Sequence, residues 1–553
     1  MKDETFVSII GVMELDTKDL LNMFPEKNSI PAEYQLQPIY QKEYLINGVI
    51  HVWTGNTREV YSPICVRNKD FVEPVLIGSY PLLNEKEVLE GLDAAVGAYD
   101  TGRGQWPTMS VEQRIQCMKS FNLRMREKRK EIVTLLMWEI CKTLTDAEKE
   151  FDRTVEYIDA TINSLKDLDR VSSRFVFELG IFAQIRRAPL GVVLCMGPFN
   201  YPLNETFTTM IPALIMGNTI LFKPAKYGAL FFRPLLEAFR DCFPRGVVNT
   251  IYGEGRTIIG PLISSGKIDV LALIGSAGAA NAIQKQHPKP NRLKCVLGLG
   301  AKNPAIILED ADLELSVKEC LLGTLSFNGQ RCTALKILFV HKKVAQNFLD
   351  KFSEAVSLLK IGMPWKNGVT ITPLPEKNKT LLMKEYIDDA IAHGAQILNR
   401  GGGVMNSTLF IPAVLSPVNE SMKIYREEQF GPIVPIVPFD SIDLPIEYIR
   451  SSDVGQQASI FGTNPEEIAR LIDPLVNQLC RVNINSQCQR GPDSFPFTGR
   501  KDSAEGTLSV SDALRVFSIR TLVAAKETDL NKMIVGEIIK ERTSNFLSTD
   551  FIL

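Results

Sequence analysis

The sequence predicts an α/β fold in which an open, mostly parallel β-sheet carries helices on both faces. Between residues 191 and 308, short apolar runs alternate with segments of helical periodicity, a pattern typical of βαβ units. A second alternating stretch from residue 337 to about residue 480 predicts a second α/β domain. Because such sheets bind ligands at the carboxyl ends of their strands, we expect functional residues in the loops that follow the strands.

Taken in chain order, the predicted elements are a helical region and then two sets of alternating strands and helices. Helical spacing covers residues 84–99 and 111–165, after a weakly patterned start. In the first set, strands are predicted at 191–196, 219–222, 247–252, 270–274, 294–297 and 304–308, with helices at 205–216, 229–242 and 277–285. In the second set, strands are predicted at 337–340 and 395–398, with helices at 344–359 and 381–394. Extended segments are predicted at 175–187 and 516–524, and a loop-rich region at 482–510.

Composition and charge exclude several classes of protein. The 553 residues are 45% hydrophobic and 23% charged, as in globular proteins, and the formal net charge of -2 gives no overall attraction to nucleic acid or to an anionic membrane. No uncharged apolar run reaches the ~18 residues of a membrane span. The acidic start Met1-Lys2-Asp3-Glu4 lacks the layout of a signal peptide, so we expect a cytoplasmic location.

The cysteines and histidines give no indication of a metal site. The ten cysteines are scattered without a C-x-x-C pair, and the four histidines are at least 50 residues apart. This distribution argues against a zinc motif and against a disulfide framework, and it suits a reducing compartment.

Cys332 is the candidate nucleophile. It lies in the segment Phe327-Asn328-Gly329-Gln330-Arg331-Cys332-Thr333-Ala334. A thiol attacks only as the thiolate, and cationic neighbours lower the thiol pKa, so the adjacent Arg331 favours a reactive cysteine. Taken alone, the same residue fits a buried structural cysteine better, since that is the commoner role of a cysteine.

Six short motifs, each weak on its own, occur in one order along the chain. They are Pro198-Phe199-Asn200-Tyr201-Pro202, Phe222-Lys223-Pro224-Ala225, Gly275-Ser276, Gln330-Arg331-Cys332, Glu428-Gln429-Phe430-Gly431-Pro432 and Arg490-Gly491-Pro492-Asp493-x-Phe495-Pro496-Phe497. Together they resemble the aldehyde dehydrogenase superfamily over roughly residues 45–525. The resemblance implies a Rossmann-type coenzyme domain, an α/β catalytic domain and a β-stranded oligomerisation arm.

The resemblance also implies domain boundaries and an assembly. The expected units are an N-terminal extension (1–40), an NADP-binding domain (41–300, with an arm segment at about 170–187), a catalytic domain (301–500) and an oligomerisation strand with a tail (501–553). Members of the superfamily usually form dimers or tetramers through such an arm, so we expect a homo-oligomer.

The resemblance implies a covalent mechanism at Cys332. The sulfur attacks the aldehyde carbonyl to give a thiohemiacetal, and the Asn200 amide and the Cys332 backbone N–H stabilise the oxyanion. Hydride transfer to the nicotinamide then leaves a thioester on the cysteine.

The coenzyme residues implied by the resemblance lie on both sides of Cys332 in the sequence. Glu428 is expected to bind the nicotinamide ribose and Phe430 to pack near the ring. The remaining candidates are Pro198, Lys223 at the adenosine ribose, and Gly275 with Ser276 at the pyrophosphate. NAD-preferring relatives commonly carry Glu where this chain has Lys226, and an ammonium attracts the 2′-phosphate that a carboxylate repels. We therefore expect NADP, with NAD as the weaker coenzyme.

Within the superfamily the chain resembles the NADP-dependent, non-phosphorylating glyceraldehyde-3-phosphate dehydrogenases. The resemblance implies that Arg153, Arg331 and Arg490, with Thr333, bind the substrate, and an arginine fork matches phosphate oxygens. The expected reaction converts glyceraldehyde 3-phosphate into 3-phosphoglycerate.

One position departs from the pattern of the superfamily. The general base is a glutamate in a Leu-Glu-Leu-Gly-Gly-Lys segment, and here the matching run is Leu297-Gly298-Leu299-Gly300-Ala301-Lys302. A general base typically contributes about 10²–10⁴-fold to the rate. Three alternatives follow: another carboxylate such as Glu427 activates water, the acyl group passes to coenzyme A or another acceptor, or the chain is a catalytically weak NADP-binding homologue.

Overall fold

The structure, a computed structural model, describes residues 16–552. The part of the predicted N-terminal extension at residues 1–15 lies outside the described residues. The strands in chain order are β1 (Ile39–Tyr40), β2 (Glu43–Ile46), β3 (Val49–Val52), β4 (Thr57–Asn68), β5 (Phe71–Pro81), β6 (Phe175–Glu178), β7 (Ile181–Pro189), β8 (Val192–Met196), β9 (Thr219–Lys223), β10 (Val248–Thr250), β11 (Val270–Ile274), β12 (Lys294–Gly298), β13 (Asn303–Ile307), β14 (Leu335–His341), β15 (Gln396–Ile397), β16 (Met405–Asn406), β17 (Leu409–Phe410), β18 (Ala413–Ser416), β19 (Ile433–Phe439), β20 (Val454–Gly455), β21 (Gln457–Phe461), β22 (Arg481–Ile484), β23 (Arg500–Lys501), β24 (Ala504–Glu505) and β25 (Ser518–Lys526).

The helices begin at polar capping residues in many cases; Thr143, Ser276 and Asp312, for example, accept a hydrogen bond from the first turn of the helix that follows. The α-helices are α1 (Thr17–Met23), α2 (Glu85–Tyr99), α3 (Gln105–Thr108), α4 (Val111–Glu127), α5 (Arg129–Ile140), α6 (Leu144–Ser172), α7 (Asn204–Ile215), α8 (Leu236–Cys242), α9 (Gly255–Ser264), α10 (Ala277–Gln284), α11 (Leu313–Leu325), α12 (Lys342–Ser357), α13 (Lys379–Ala392), α14 (Lys423–Arg426), α15 (Asp443–Ser451), α16 (Pro465–Leu475), α17 (Val510–Val516) and α18 (Asp529–Lys540).

The first sheet has eight strands in the order β24-β12-β11-β8-β9-β10-β2-β3. The five strands from β12 to β10 are mutually parallel, and β24, β2 and β3 add antiparallel edges. The chain builds β8, β9 and β10 in one direction and then crosses back to add β11 and β12 beside β8. The carboxyl ends of β8 and β11 therefore flank a reversal of strand order, which is where open α/β sheets bind ligands.

The second sheet has seven strands in the order β15-β18-β19-β14-β13-β21-β22. All of its pairs are parallel except the edge pair of β15 with β18. The strands β13, β14 and β21 are almost entirely buried, as expected for a sheet covered on both faces. The predicted α/β fold class is confirmed.

A smaller, three-stranded sheet joins distant parts of the chain. Its strand β25 pairs antiparallel with β7 from Ser518, opposite Pro189, to Lys526, opposite Ile181. The strand β6 completes the sheet on the other side of β7. The two extended segments predicted at 175–187 and 516–524 therefore lie side by side.

The long hairpin of β4 and β5 is an element that the sequence analysis missed. Its two strands have 12 and 11 residues and lie N-terminal to the first predicted helix. Many of their outer residues are polar and exposed, so the alternation of apolar and polar residues is weak there. The predicted helix 229–242 is also only partly α-helical, because a 3₁₀ segment at Leu230–Leu235 containing Pro234 precedes α8.

Two further observations concern residues 16–552 alone. No helix in this part of the chain has the length and apolar character needed to cross a bilayer. The same residues contain no group of three or more His, Cys, Asp or Glu side chains placed to hold a metal ion.

Candidate active site

Cys332 lies in the connection between α11 and β14, and the backbone before it is unusual. The three consecutive residues 327–329 have positive φ values of 49°, 56° and 71°. At Gly329 a Cβ atom would lie 2.8 Å from the carbonyl oxygens of Gly431 and Thr324. Only glycine permits this close approach, so the loop that carries Cys332 is packed against the loop that contains Glu428 and Phe430.

Asn200 is held against the same loop. It follows β8, its side chain is buried, and its Nδ2 donates a hydrogen bond to the carbonyl oxygen of Gln330 at 2.9 Å. The carbonyl oxygen of Cys332 accepts hydrogen bonds from Asn303 Nδ2 at 2.9 Å and from Lys336 Nζ at 3.0 Å. The structure thus places Asn200 against the loop that carries Cys332, through a contact with Gln330, which is 130 positions away in the sequence.

The pKa of the Cys332 thiol is raised in this structure. Burial, and then the negative charge of Glu205, raise its pKa to about 11, against the smaller opposing effects of Lys336 and Arg490. Arg331 is not among the charged groups with the largest effects on this pKa. The Arg331 guanidinium instead donates hydrogen bonds to the carbonyl oxygens of Leu322 at 3.0 Å and Gly323 at 2.8 Å, near the end of α11.

The coenzyme candidates Lys223, Gly275 and Ser276 lie at the carboxyl ends of β9 and β11. Burial, and then the positive charge of Arg58, lower the pKa of Lys223 to about 8. Gly275 and Ser276 are exposed, and the Ser276 hydroxyl accepts a hydrogen bond from Ala279 N at 3.2 Å, where α10 begins. An exposed helix N-terminus at this edge of the sheet fits a pyrophosphate group.

Lys226 lies beyond β9 at a cleft of about 780 Å³ between the β4–β5 hairpin and the start of α13. The charged side chains that line this cleft include four cations and two carboxylates, namely Arg58, Lys226, Lys377, Lys379, Glu59 and Glu376. Lys226 itself is exposed, and its Nζ is 5.2 Å from the centre of the Tyr227 ring. This excess of positive charge fits a phosphate-bearing ligand.

Glu428 and Phe430 lie in the loop before β19, which packs against the loop of Cys332 at Gly329. Glu428 Oε1 is 2.6 Å from Lys336 Nζ, and its negative charge is one of those that raise the Cys332 pKa. The Phe430 ring meets the Phe199 ring edge to face, with centres 5.9 Å apart. Phe199 follows Pro198 directly, after β8. The coenzyme candidates Pro198 and Phe430 therefore lie close together.

Two of the three predicted substrate arginines meet at one carboxylate. Arg153 of α6 binds Asp493 with two hydrogen bonds, Nε to Oδ2 at 3.1 Å and Nη2 to Oδ1 at 2.7 Å. Arg490 Nε is 3.6 Å from the same Oδ1 atom, and Arg490 Nη1 pairs with Glu205 Oε2. This cluster of Arg153, Arg490, Asp493 and Glu205 therefore has no net formal charge.

Arg331, the third predicted substrate arginine, makes no hydrogen bond or ion pair with this cluster among the described residues, but its charge and that of Arg153 act on the same tyrosine, Tyr201. The positive charges of Arg331 and Arg153 both act to lower the pKa of the buried Tyr201 hydroxyl, although burial raises that pKa more strongly. Thr333 is buried beside Cys332, with 6% of its surface exposed. The substrate roles of these residues stay predictions.

The structure adds residues that sequence reasoning missed. Glu205, Lys336 and Asp493 all contact predicted site residues, but an acid in a first helical turn or a charge beside a strand is too common to single out. The alternative base Glu427 is exposed, and its carboxylate accepts a hydrogen bond from the Tyr386 hydroxyl at 2.9 Å. Its charge is not among the five main influences on the Cys332 thiol. Glu427 therefore has no support as the water-activating group.

This arrangement of nucleophile, amide and sheet edge defines a class of enzyme. The aldehyde dehydrogenase family model matches residues 48–523, and the chain belongs to that family. Among its relatives, the NADP-dependent glyceraldehyde-3-phosphate dehydrogenase of Streptococcus equinus is 33% identical over 465 residues, which cover 82% of this chain and 92% of the relative. The lactaldehyde dehydrogenase of Escherichia coli strain K12 is 29% identical over 449 residues, 79% of this chain and 87% of the relative.

Solved structures show the same fold. The NADP-dependent glyceraldehyde-3-phosphate dehydrogenase of Bacillus halodurans C-125, complexed with NADP, has a TM-score of 0.80 and 30% identity, covering 89% of this chain and 100% of that one. The lactaldehyde dehydrogenase structure from Escherichia coli has a TM-score of 0.80 and 26% identity, covering 89% of this chain and 100% of that one. These relatives differ in the aldehyde that their names state.

Proposed function

We propose that the protein uses NADP to oxidise a phosphorylated aldehyde, with glyceraldehyde 3-phosphate as substrate and 3-phosphoglycerate as product. The observation that carries the proposal is the meeting of Arg153 and Arg490 at Asp493, since the charge of Arg490 also acts on the Cys332 thiol. Two relatives named for this activity, at 33% and 30% identity, support the same substrate.

The chemistry assigned to this chain takes place at Cys332. The thiol loses its proton to water, the thiolate sulfur bonds to the aldehyde carbon, and the carbonyl oxygen becomes an alkoxide. One N–H of the Asn200 amide is used by Gln330, so the second N–H is available to the alkoxide. NADP supplies the hydride acceptor when it is bound. Loss of the hydride leaves a thioester on Cys332, and its hydrolysis releases a carboxylate and restores the thiol.

The phosphate of the substrate is assigned to Arg153 and Arg490. The side chain of Arg153 is 36% exposed and that of Arg490 only 5%, so Arg153 is the accessible member of the pair. A phosphate that takes the place of Asp493 on Arg153 replaces one bidentate partner with another. Arg331 and Thr333 complete the proposed subsite next to Cys332.

NADP preference is assigned to the cleft beside β9. An acidic residue at position 226 would repel the 2′-phosphate, whereas Lys226 attracts it. The neighbouring Arg58, Lys377 and Lys379 add positive charge along the same cleft. Lys223, Gly275 and Ser276 then hold the adenosine ribose and the pyrophosphate, and Glu428 with Phe430 the nicotinamide end.

We further assign the protein to the cytoplasm and to a homo-oligomer. All ten cysteines are free thiols, as in a reducing compartment. The three-stranded arm exposes large apolar side chains, including Phe177 at 61% and Leu522 at 57%, that a partner subunit would cover.

A second candidate is an acylating dehydrogenase that passes the acyl group to coenzyme A. The observation that favours it is Gly298, which offers no side chain for water activation at the end of β12. Under this alternative, oxidation stops at the thioester unless an acceptor thiol is present.

A progress curve of NADPH formation with glyceraldehyde 3-phosphate tests both candidates. Sustained turnover in the absence of coenzyme A and inorganic phosphate supports the proposed function. One NADPH per subunit followed by a stall, relieved by coenzyme A, supports the acylating alternative. Failure to form any NADPH, while NADP still binds, contradicts both. A parallel assay with lactaldehyde shows whether the phosphate group of the substrate matters.

A further inference from the structure

We propose that a cavity lined by the C-terminal tail (residues 541–552) binds a small phosphorylated metabolite, at a site separate from the active site. The cavity has a volume of about 550 Å³ and lies where the start of α4, the end of α6, strand β7 and residues 543–546 meet. A cavity of this size holds an organic molecule rather than a bare ion alone. The residues assigned above to catalysis, coenzyme and substrate are not among those that line it.

The cavity lies well away from the proposed phosphate subsite of the substrate. Both places include a residue of α6, Arg153 at the subsite and Asp169 at the cavity. At a rise of about 1.5 Å per residue, these two positions are about 24 Å apart along the helix axis. One phosphate group therefore cannot contact both places.

The lining of the cavity carries an excess of positive charge. Its charged side chains are three arginines and one aspartate, so their formal charges sum to +2; they are Arg114, Arg186, Arg187 and Asp169. A phosphate monoester carries about -1.5 to -2 charges at neutral pH, which matches this excess, whereas a single carboxylate would neutralise only half of it. Arginine also offers a fork of donors that fits phosphate oxygens. The charge therefore favours a phosphate.

Arg186 is a buried cation that makes no hydrogen bond to a described residue. It lies on β7 opposite Thr521 of β25, and its side chain is 9% exposed. Its Nε and Nη2 atoms are fully buried without a partner, which leaves Nη1 as the accessible nitrogen. The only ion pair is with Asp169, at 3.4 Å between Nη2 and Oδ1 among the described residues. Buried polar groups nearly always have a hydrogen-bond partner, so a guanidinium of this kind on a cavity wall indicates a ligand-binding group.

Arg114 is held in place as a second cation. The residue is 6% exposed, its Nε donates to the Ile215 carbonyl oxygen at 2.9 Å, and its Nη1 donates to the Met109 carbonyl oxygen. Its Nη2 donates to no group in the described part of the chain. Burial lowers the pKa of Arg114 to about 10; Asp169 opposes this effect and the positive charge of Arg186 adds to it. A bound dianion would offset the repulsion between the two arginines.

The C-terminal tail adds neutral hydrogen-bonding groups to the cavity. The tail is attached to the body of the protein by Asn545 Nδ2, which donates to the Thr108 carbonyl oxygen at 2.8 Å, and by Ser548 N, which donates to Gln184 Oε1 at 3.0 Å. The Ser544 hydroxyl oxygen accepts two backbone N–H groups within the tail and donates to no described group. Its proton is therefore available to a ligand in the cavity.

The tail lies outside residues 48–523, the part of the chain that the family model matches. The cavity thus combines arginines of the matched region with a wall from beyond it. A phosphate held by Arg114 and Arg186, with Ser544, would connect the tail to α4 and β7. We therefore expect the ligand to reduce the opening of the tail, which is measurable as slower exchange of its backbone amides.

Hydrogen–deuterium exchange followed by mass spectrometry tests the proposal on the full-length protein. The probes are inorganic phosphate and sorbitol 6-phosphate, which has no aldehyde group to react at Cys332. Sorbitol and sodium chloride at matched ionic strength are the controls. In the wild type, both probes should slow amide exchange in residues 543–552 and both controls should leave it unchanged. Sorbitol 6-phosphate should act at a lower concentration than inorganic phosphate, because the cavity also holds its polyol chain.

Two arginine variants test whether Arg186 binds the phosphate. Arg186→Gln should raise the concentration of sorbitol 6-phosphate needed to slow tail exchange by roughly 10- to 100-fold, as for the loss of hydrogen bonds to a charged group. Arg174→Gln, at an exposed arginine just before β6, is the matched control and should respond like the wild type. If Arg186→Gln does not fold because Asp169 is left uncompensated, Arg186→Gln/Asp169→Asn removes both charges and takes its place.

Arg153→Gln separates the cavity from the proposed substrate subsite. In this variant the phosphates should still slow tail exchange, while the KM for glyceraldehyde 3-phosphate rises. Arg186→Gln should show the converse, with a wild-type KM in phosphate-free buffer. A wild-type response of the tail in Arg153→Gln together with an unchanged KM contradicts the proposed function alone.

Four results overturn the proposal of a metabolite site. The first is a wild type whose tail exchange does not respond to either phosphate. The second is an Arg186 variant that responds like the wild type. The third is loss of the response in Arg153→Gln, which would place the phosphate at the active site. The fourth is an equal response to inorganic phosphate and sorbitol 6-phosphate, which would show a site for the free ion only.

Discussion

The guanidinium of Arg490 and the carboxylate of Glu205 form a buried ion pair, with side chains only 5% and 9% exposed, and the two charges act in opposite directions on the pKa of the Cys332 thiol. The two residues are 285 positions apart in the sequence. Such a pair offsets the free energy of burying each charge, and removal of one member leaves the other uncompensated. The pair thus connects the stability of the protein with the environment of the Cys332 thiol.

Replacement of Arg490 by Met should affect both stability and substrate recognition. The free energy of unfolding should fall by about 3–5 kcal/mol, as for other broken buried pairs. The KM for glyceraldehyde 3-phosphate should rise far more than the KM for unphosphorylated glyceraldehyde. In Arg490→Met/Glu205→Gln the uncompensated charge is gone, so stability recovers while the KM for the phosphorylated substrate stays high. Equal changes in KM for both aldehydes would show that Arg490 does not recognise phosphate.

Replacement of Lys226 by Glu should shift the coenzyme preference toward NAD. The substitution replaces attraction for the 2′-phosphate with repulsion, which we expect to be worth about 1–3 kcal/mol at a solvent-exposed site. The ratio of kcat/KM for NADP to that for NAD should therefore fall by roughly 10- to 100-fold. Lys119→Glu, an exposed change of equal charge on α4, is the control and should leave the ratio unaltered. An unchanged ratio in Lys226→Glu would refute the assignment.

Coenzyme binding should weaken as the pH rises through about 8, the value to which burial and Arg58 lower the pKa of Lys223. Below this pH the ammonium is charged and attracts the coenzyme phosphates, and above it the charge is lost. Arg58→Met removes a positive neighbour, so the Lys223 pKa should rise and the loss of affinity should move to higher pH. Titration of NADPH fluorescence between pH 6 and 10 measures both curves. A flat curve for the wild type would exclude Lys223 from coenzyme binding.

Alkylation of Cys332 should be slow at neutral pH and should accelerate with pH. With the pKa raised to about 11, only about one thiol in 10⁴ is ionised at pH 7, and the rate should rise about tenfold per pH unit up to about pH 10. Glu205→Gln removes the negative charge, so it should lower the pKa and speed alkylation at pH 7. Mass spectrometry of the Cys332 peptide after iodoacetamide treatment measures these rates. A wild-type rate that is independent of pH above 7 would contradict the raised pKa.

The three-stranded arm should govern assembly. Leu522 and Val523 of β25 are 57% and 40% exposed, and Leu522→Asp/Val523→Asp places charge on the surface proposed to meet another subunit. Light scattering after size-exclusion chromatography should show a smaller assembly for this variant than for the wild type. Leu358→Asp, at an exposed apolar residue after α12, is the control and should keep the wild-type mass. A monomeric wild type would contradict the proposed homo-oligomer.

The strands of the first sheet could be predicted because a strand that is buried on both faces consists almost entirely of apolar residues. The runs at β8, β9 and β11 are short and apolar, and the predicted bounds agree with the structure within one residue. The β4–β5 hairpin could not be predicted in this way, because its strands lie partly in solvent and mix polar with apolar residues. Its position matters, since Arg58 of β4 acts on Lys223.

The sequence by itself determined the fold class, the family and the identity of the residues proposed for catalysis, because buried strands and short motifs are local patterns. The tertiary structure decided what surrounds those residues. Arg331 is adjacent to Cys332 in the chain, yet its guanidinium binds carbonyl oxygens near the end of α11. Glu205 is distant in sequence, yet its negative charge acts to raise the pKa of the thiol. Electrostatic effects depend on distance and burial in space, and residue order along the chain fixes neither of them.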